Sequence, residues 1–435
     1  MLFLYLRSCY TPLMRVIADL EIHSRFARAV SPDMNLATME TWGMKKGVEV
    51  IGTGDFTHPE WFAELRAGLE DAEPGLYKRK GSASSIRFML SAEVSCIFRR
   101  LGATRRIHIL LYSPSFAVAE KINSYLSLIG NLKADGRPIL GMDVKDVVKV
   151  AMDASPECLV IPAHVWTPWF GMYGSKSGFN SINECFEDLV KYVPAVETGL
   201  SSDPPMNWRL SELDTKSIVS FSDAHSAPNI GRECTILELE SLSYQNIAQA
   251  IKIPFPKDSD PNRIVMTVEF FPEEGMYHWD GHRDHDIRWS PAETKQHDGI
   301  CTVCGKPITV GVMNRIEVLA DRPADYQPTG RPGYQRMVPL AEIISDAIGV
   351  GKHSKAVGKV YDQLTGTLGS EFKILLESSI SDIVAASKPE IAEGVDRVRK
   401  GKLNILPGYD GVYGTIFIFD KKVGETVKAG QGALF

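Results

Sequence analysis

Side chains that bind metal ions recur at the ends of short apolar runs in the first half of the chain. Residues 218–221 form a β-branched and aromatic run, and Asp223 and His225 follow where a strand should stop. An Asp and a His that leave one strand end together can both reach an ion beyond the sheet edge. Six other short apolar runs also end in Asp, Glu or His. We therefore interpret Asp223 and His225 as part of a larger metal site.

The other candidate ligands share this position near a predicted strand end. Any one of them alone would more often be a capping or hydrogen-bonded residue. The candidate set is Glu21, His23, Asp55, His58, Glu93, His108, His164, Asp223 and His225. Such nitrogen and oxygen donors suit two or three divalent ions, zinc, manganese or magnesium. Within the set we predict catalytic roles for Asp223, Glu93 and Asp55, with Glu93 bridging two ions.

Seven predicted strands position these side chains. They cover residues 16–22, 48–51, 88–90, 107–112, 159–162, 195–196 and 218–221. Segments long enough for crossovers, several of them helical, separate most of the strands. Seven strands with crossovers over roughly 240 residues predict a parallel β/α barrel, because such barrels are about 250 residues long. Ligands at the carboxyl ends of its strands would converge on one face.

Composition sets the broad class of the protein. The 435 residues are 44% hydrophobic and 23% charged, which predicts a soluble globular chain of two or three domains. The net charge of −6 argues only weakly against nucleic-acid binding, because bound divalent ions offset acidic ligands. The odd number of cysteines, seven, does not suit a secreted disulfide framework and favours a cytoplasmic location. No apolar run reaches transmembrane length, so we expect no membrane partner.

A second metal signature follows the predicted barrel. It consists of His282, His285, Cys301 and Cys304. The fifteen residues between His285 and Cys301 suit a structural zinc site with four ligands, and Gly305 suits a tight turn after the second cysteine. His278 competes with His282 as a ligand. The alternative is a surface histidine cluster beside two unrelated thiols.

Breaker-rich connections at residues 253–261 and 323–334 suggest the domain boundaries. The predicted division is a non-core extension (1–14), a barrel (15–255), a zinc-binding domain (256–322), a helical domain (323–430) and a terminal peptide (431–435). Within the helical domain, helices are predicted at residues 340–348, 356–364, 371–376 and 389–400. A closing β pair is predicted at residues 402–406 and 413–419.

Several of the ligand motifs resemble those of the polymerase and histidinol phosphatase (PHP) family. They are residues 19–24, 54–58, 162–164 and 222–225, together with Glu93 and His108. The resemblance implies a distorted seven-stranded β/α barrel with a trinuclear metal site that hydrolyses phosphoesters. Family members usually carry a His where Glu21 stands, although a carboxylate also binds zinc.

From about Met14 onward the whole chain resembles the endonuclease Q family within this group. The barrel motifs, the His/His/Cys/Cys signature, residues 338–340 (Val-Pro-Leu) and residues 407–414 carry the resemblance. It implies a repair nuclease that cuts DNA 5′ to uracil, hypoxanthine, xanthine and abasic sites. Family members usually have a Cys where His285 stands, and zinc accepts either residue.

An aromatic loop directly after His164 is the predicted lesion pocket. An enzyme that reads a damaged base must take it out of the stack and into such a pocket. The predicted lesion and DNA contacts are Trp166, Trp169, Phe170, Tyr173, Ser175, Asn207 and Trp208. For any single aromatic side chain, packing at the barrel mouth is the alternative.

The last five residues resemble the peptide with which bacterial repair proteins bind the DNA sliding clamp. Gln431 would donate and accept hydrogen bonds, while Leu434 and Phe435 would fill an apolar pocket. Chance is the competing explanation for so short a match.

Two other functions fit parts of the sequence. A small-molecule phosphatase of the histidinol phosphate type would use the same metals without needing a zinc-binding domain or a clamp peptide. A non-catalytic scaffold of a DNA-repair assembly would be expected to have lost ligands, and the set is complete apart from the Glu21 exchange.

Overall fold

The computed structural model describes residues 13–419. Apart from residues 13 and 14, the predicted N-terminal extension lies outside the described residues. The predicted clamp peptide, with Gln431, Leu434 and Phe435, lies outside them as well.

Eighteen strands occur in the described residues. They are β1 (Met14–Asp19), β2 (Val50–Gly52), β3 (Leu69–Asp71), β4 (Tyr77–Arg79), β5 (Arg87–Met89), β6 (Ser91–Arg100), β7 (Ala103–Tyr112), β8 (Ile139–Leu140), β9 (Leu159–Pro162), β10 (Ala195–Glu197), β11 (Ser217–Val219), β12 (Cys234–Leu239), β13 (Arg263–Glu269), β14 (Asp280–His282), β15 (Ile287–Trp289), β16 (Gly333–Arg336), β17 (Asn404–Leu406) and β18 (Thr415–Phe417).

Thirteen α-helices accompany them in the same part of the chain. They are α1 (Leu36–Lys46), α2 (Pro59–Gly68), α3 (Phe116–Leu126), α4 (Val144–Ala154), α5 (Ile182–Phe186), α6 (Pro204–Trp208), α7 (Tyr244–Ile251), α8 (Pro291–Gln296), α9 (Val312–Leu319), α10 (Leu340–Ile348), α11 (Lys355–Leu368), α12 (Ile380–Ala386) and α13 (Pro389–Arg399). A π-helical turn, Lys373–Glu377, lies between α11 and α12.

The strands form a mixed α/β fold with several sheets. An eight-stranded sheet has the order β16-β13-β12-β1-β2-β5-β4-β3, and a four-stranded sheet has the order β8-β6-β7-β9. β10 and β11 form a separate parallel pair. Each of the seven predicted strands is present, and together they are distributed over these three sheets. Because the hydrogen-bonded ladder is not continuous, the closed seven-stranded barrel stays a prediction.

A common apolar interior nevertheless joins these strands. One buried cluster takes side chains from every one of the seven, including Val16 of β1, Val50 of β2 and Leu110 of β7. Phe221, which follows β11, lies in the same cluster and is fully buried. The alternation of side chains along a strand therefore places one face of each strand against a shared core.

The strand that carries His108 is antiparallel to its neighbours, which differs from the predicted parallel arrangement. β7 pairs antiparallel with β6 and with β9. Leu101 and Gly102 connect β6 to β7 with φ angles of 52° and 75°. A two-residue connection with positive φ values is the geometry of a tight hairpin, which forces antiparallel pairing. Glu93 accordingly lies within β6 and not at the end of the predicted strand 88–90.

The C-terminal part confirms most of the predicted helices and the β pair. α10 has the predicted bounds, α11 and α13 cover the next and last predicted helices, and β17 pairs antiparallel with β18. α12 was not predicted. β13 pairs with β12, and β16 pairs with β13. The large sheet thus crosses both predicted boundaries near residues 256 and 323, and the domain division stays a prediction.

Among the helices of residues 13–419, none combines the length and apolar character needed to cross a bilayer.

A buried ion pair ties α1 to the C-terminal helices. Lys46 Nζ lies 2.7 Å from Glu371 Oε2, with side chains only 4% and 6% exposed. Glu371 also accepts hydrogen bonds from the Leu340 amide and the Tyr361 hydroxyl. Removing one partner of such a pair leaves an uncompensated buried charge.

Glu371→Gln is therefore expected to lower the free energy of unfolding by about 3 kcal/mol, measured by chemical denaturation. The control is Asp362→Asn, which breaks the exposed Lys45–Asp362 pair and should cost less than about 1 kcal/mol. Equal effects of the two substitutions would contradict the importance of burial.

Candidate metal centre

Backbone pairing brings the first and last ligand motifs together. Ile22 forms a parallel bridge with Ala224, and the His23 amide donates to the Ala224 carbonyl. Asp19, fully buried, accepts hydrogen bonds from the amides of Ser222 (2.9 Å) and Gly231 (2.8 Å). Asp19 thereby fixes the loop that carries Asp223 and His225 against the end of β1.

Glu93 occupies the centre of the site. Its Oε2 lies 3.0 Å from His23 Nε2, and its Oε1 lies 2.5 Å from His108 Nδ1 and 3.2 Å from His164 Nε2. The β6–β7 register places Glu93 and His108 as diagonal neighbours on one face of the hairpin. Burial acts to raise the pKa of Glu93, but the Arg137 guanidinium and the His108 ring hold it well below its usual range.

Three overlapping groups of side chains have the composition and spacing of metal sites. Within each group the ligand atoms lie within 4.8 Å of one another. The groups are His23, Asp223 and His225; Glu93, His108 and His164; and Glu21, Glu93 and Asp223. The structure therefore brings together seven of the nine candidate ligands.

Glu21 provides a test of whether this donor set fits divalent ions. The Glu21 side chain is buried, and neither of its carboxylate oxygens accepts a hydrogen bond from any residue in the described range 13–419. Burial raises the pKa of Glu21 well above its usual range, and the nearby carboxylates of Glu197 and Asp223 raise it further. Divalent cations would relieve both the desolvation and the repulsion, so the residues fit the ions that the sequence predicts.

Asp55 and His58 lie outside the three groups. Asp55 Oδ1 contacts His23 Nδ1 at 2.9 Å, and its Oδ2 accepts from the Ser24 amide and hydroxyl, each at 2.6 Å. His58 precedes α2, where its Nδ1 accepts from the Trp61 amide. In this arrangement Asp55 orients the His23 ring, which is a common task of a carboxylate behind a metal-binding histidine. Direct ligation by Asp55 and His58 stays a prediction.

Three of the candidate ligands have a strained backbone conformation. Asp55, His164 and Asp223 have φ angles of 49°, 29° and 46°, a region that non-glycine residues rarely adopt. Each such conformation costs on the order of 1–3 kcal/mol, and in proteins these conformations cluster at functional sites. The surrounding hydrogen bonds therefore hold these side chains in place against a local cost.

Two site residues were missed by the sequence analysis. Glu197 ends β10 and accepts a hydrogen bond from the His164 amide, and burial raises its pKa to about 7. Arg137 lies in the loop before β8 and donates to Glu93. Glu197 had a detectable signal, because it ends a short apolar run. Arg137 had none, because its contact with Glu93 spans 44 positions of sequence.

Much of the predicted lesion pocket lies in the protein interior. Trp166 is fully buried, stacks on Tyr173 at 4.8 Å and donates from Nε1 to Asn207 Oδ1 at 2.8 Å. Trp208 is 7% exposed and packs edge-on against Tyr334. Contacts of these four candidates with DNA would require movement of the loop and of α6, and their role stays a prediction.

Trp169 and Phe170 are the accessible aromatic residues of this loop. Trp169 is 39% exposed and meets the Tyr277 ring edge-on at 5.4 Å. Phe170, with φ of 67°, lies 4.3 Å from the His108 ring, and its carbonyl accepts from the His108 amide. Ser175 Oγ is buried with no hydrogen-bond partner among the described residues. Phe170 thus forms a wall directly beside the ligand groups.

The second metal signature converges as predicted. His282, His285, Cys301 and Cys304 form a group whose ligand atoms lie within 4.8 Å of one another. Burial acts to raise the pKa of Cys301, but hydrogen bonds from His282 and nearby amides lower it to about 6, which favours the metal-binding thiolate. His278 is not in the group and is buried elsewhere, so His282 is the histidine that joins the two cysteines.

The chain is similar to known sequences over different parts of its length. The family model described as "MJ0043 C-terminal domain" matches residues 339–402. The chain is 33% identical over 265 residues to the uncharacterized protein MJ0043 of Methanocaldococcus jannaschii, covering 59% of this chain and 32% of that protein. It is 29% identical over 378 residues to the uncharacterized protein YqxK of Bacillus subtilis, covering 85% of this chain and 89% of that one. The chain thus spans about a third of the length of the archaeal relative.

Solved structures resemble nearly the whole chain. The lesion-specific endonuclease PfuEndoQ from Pyrococcus furiosus has a TM-score of 0.82 and 28% identity, over 94% of this chain and 98% of that one. An endonuclease Q in complex with a 27-mer duplex that has an abasic lesion at the active site has a TM-score of 0.81 and 28% identity, over 95% and 100%. Over nearly its whole length the chain is therefore similar to endonuclease Q.

Cys304→Ser is expected to remove one equivalent of bound metal ion from the purified protein, because Cys304 is one of only four grouped donors. Total metal content by mass spectrometry is the measurement. His297→Ala is the matched control, because His297 lies in the same segment and packs on Trp289 outside the group. Unchanged metal content in Cys304→Ser would contradict ligation by this residue.

Proposed function

We propose that this chain is a metal-dependent DNA repair endonuclease that hydrolyses the phosphodiester 5′ to deaminated bases and abasic sites. Uracil, hypoxanthine and xanthine are the proposed deaminated bases. The observation that carries the proposal is the position of Glu93, which belongs to two of the three ligand groups and lies 3.0 Å from His23 of the third. The similarity to a lesion-specific endonuclease, and to an endonuclease Q bound to abasic DNA, supports it.

Two or three divalent ions of zinc, manganese or magnesium are the proposed cofactors. His23, Asp223 and His225 would hold one ion, and Glu93, His108 and His164 another, with Glu21 completing the set. Bound there, such ions lower the pKa of a water nucleophile and stabilise the leaving oxygen. Asp55 orients the His23 ring, while Glu197 holds the His164 backbone through its amide.

One structural zinc ion is proposed for His282, His285, Cys301 and Cys304. Two histidines and two thiolates form a closed tetrahedral donor set, which suits a structural and not a catalytic zinc. Gly305, with φ of 72°, follows the second cysteine and allows its amide to donate to the Cys301 carbonyl. We further propose that the seven strands around the shared core form a distorted PHP barrel.

Lesion recognition is proposed to depend on the accessible aromatic side chains of the loop after His164. A base taken out of the stack needs a flat apolar surface close to the reacting phosphate. Trp169 is partly exposed, and Phe170 packs against His108. The loop itself would be held in place by the contacts of Trp166 with Tyr173 and with Asn207.

Asp223→Asn is expected to reduce the rate of cleavage of a uracil-containing duplex by more than about 100-fold. Loss of a residue that orients a metal ligand typically lowers metal affinity or activity by about 10- to 100-fold, and loss of a ligand itself should cost at least as much. Duplex binding should remain measurable. The assay is cleavage of end-labelled duplexes with saturating manganese, with the cut position mapped. The control is Asp188→Asn, which changes an exposed carboxylate.

Near-normal cleavage by Asp223→Asn would contradict the assignment of Asp223. Hydrolysis of phosphate monoesters by the unsubstituted protein, with no DNA cleavage, would favour a small-molecule phosphatase. Binding of damaged duplexes without cleavage under any divalent ion would favour a scaffold.

Trp169→Ala is expected to reduce the preference for uracil over thymine duplexes by about fivefold or more, because stacking of a base on an aromatic ring contributes about 1–3 kcal/mol. The ratio of cleavage rates on the two duplexes is the measurement. Tyr125→Ala, which removes a 53%-exposed aromatic ring on α3, is the control. An unchanged ratio in Trp169→Ala would show that Trp169 does not contribute to lesion recognition.

A further inference from the structure

Arg137 lies at the edge of the candidate metal centre with most of its hydrogen-bond donors unused. Its NH1 group donates to Glu93 Oε2 at 3.0 Å. The structure shows no other hydrogen bond from this side chain to any residue of the range 13–419. The side chain is 24% exposed, so the unused N–H groups border solvent beside the ligands. A guanidinium carries five N–H donors in a planar fork that suits phosphate oxygens.

Two other partly buried arginines use more of their donors within the protein. Arg100 contacts Asp143 and the carbonyls of Glu184 and Cys185. Arg336 contacts both Asp203 and Glu273. Each of these two side chains thus makes several hydrogen bonds, whereas the Arg137 side chain makes a single one among the described residues, to Glu93.

Hydrogen bonds hold the loop that carries Arg137 in place beside the site. The Gly136 amide donates to the Phe26 carbonyl at 2.9 Å, and Asp135 Oδ1 accepts from the amides of Arg28 and Arg137. Gly136 packs so closely that a Cβ there would lie 2.5 Å from Asp55 Oδ2. The loop that carries Arg137 is thus anchored to the residues that hold His23.

Charge supplies the reason for a cation at this position. The carboxylates of Glu93, Asp223 and Asp55 all interact favourably with Arg137. A phosphate group that approaches these acids is itself an anion, so it needs positive charge at the point of entry. Arg137 provides a fixed positive charge there, and it is independent of which divalent ions are bound.

We propose that Arg137 binds the phosphate group of the substrate, with Glu93 holding one edge of the guanidinium while the opposite edge contacts nonbridging phosphate oxygens. This inference rests on the proposed phosphodiester hydrolysis and identifies Arg137 as the residue that binds the reacting phosphate group. The ligand class is a phosphate ester, and inorganic phosphate is the simplest probe.

The experiment is calorimetric titration of the manganese-loaded full-length protein with inorganic phosphate. Arg137→Ala is expected to raise the Kd about tenfold or more, because it removes charge-assisted hydrogen bonds to an anion. Arg137→Lys, which retains the charge without the planar fork, should give an intermediate Kd. Arg25→Ala is the matched control, because Arg25 is similarly exposed and pairs with the single carboxylate of Glu64. It should stay within about twofold of the unsubstituted protein.

Metal content measured on the same samples separates phosphate binding from support of Glu93. The proposal requires that Arg137→Ala retain its manganese while losing phosphate affinity. A Kd within twofold of the unsubstituted protein, or a loss of phosphate affinity that parallels a loss of manganese, would overturn it. Absence of phosphate binding by the unsubstituted protein would overturn it as well.

The endonuclease proposal can be disproved without disproving the role of Arg137. If the unsubstituted protein binds phosphate through Arg137 but cuts no damaged duplex, the endonuclease proposal is wrong while the role of Arg137 in binding a phosphate ester stands.

Discussion

Repulsion among buried carboxylates is the constraint on which the rest of this structure depends. Glu21, Glu93, Glu197 and Asp223 come from four different parts of the chain, and all lie close to the same point. Water screens these charges weakly, because Glu21, Glu93 and Glu197 are buried and the Asp223 side chain is only 22% exposed. Positive charge at this point offsets the repulsion, and the Arg137 guanidinium already lies 3.0 Å from Glu93. A divalent ion in each ligand group would complete the same compensation.

Two glycines allow very close contacts between the segments that carry the ligands. A Cβ at Gly54 would lie 2.3 Å from the Ile22 carbonyl oxygen, and one at Gly199 would lie 2.3 Å from the His164 Cβ. Both glycines also have positive φ angles, of 62° and 57°. Glycine meets both demands, because it has no side chain and adopts this conformation readily. The loops that carry Asp55 and His164 can therefore lie directly on neighbouring ligand segments.

Local sequence patterns predicted the strands and the ligands that follow them, because burial on one face requires apolar residues wherever a strand enters the core. The same reasoning located the helices α10 and α13 and the four grouped residues that include Cys301 and Cys304. It failed where the decisive contact is distant in sequence. The position of Glu93 inside a hairpin depends on the turn at Leu101 and Gly102, and Arg137 reaches Glu93 only in the folded chain. Composition also could not separate buried Trp166 from exposed Trp169, since both lie in one aromatic loop.

The central position of β1 in the eight-stranded sheet has a consequence for how the protein is made. β1 pairs with β2, which follows it closely in sequence, but its other edge pairs with β12, where Met14 lies opposite Leu239. During synthesis that edge stays unpaired until more than half of the chain has left the ribosome. Contacts of such sequence separation slow folding and leave strand edges exposed to other chains. The nascent protein should thus be more prone to aggregation than the finished one, and the ligand cluster can assemble only after His225 has been synthesised.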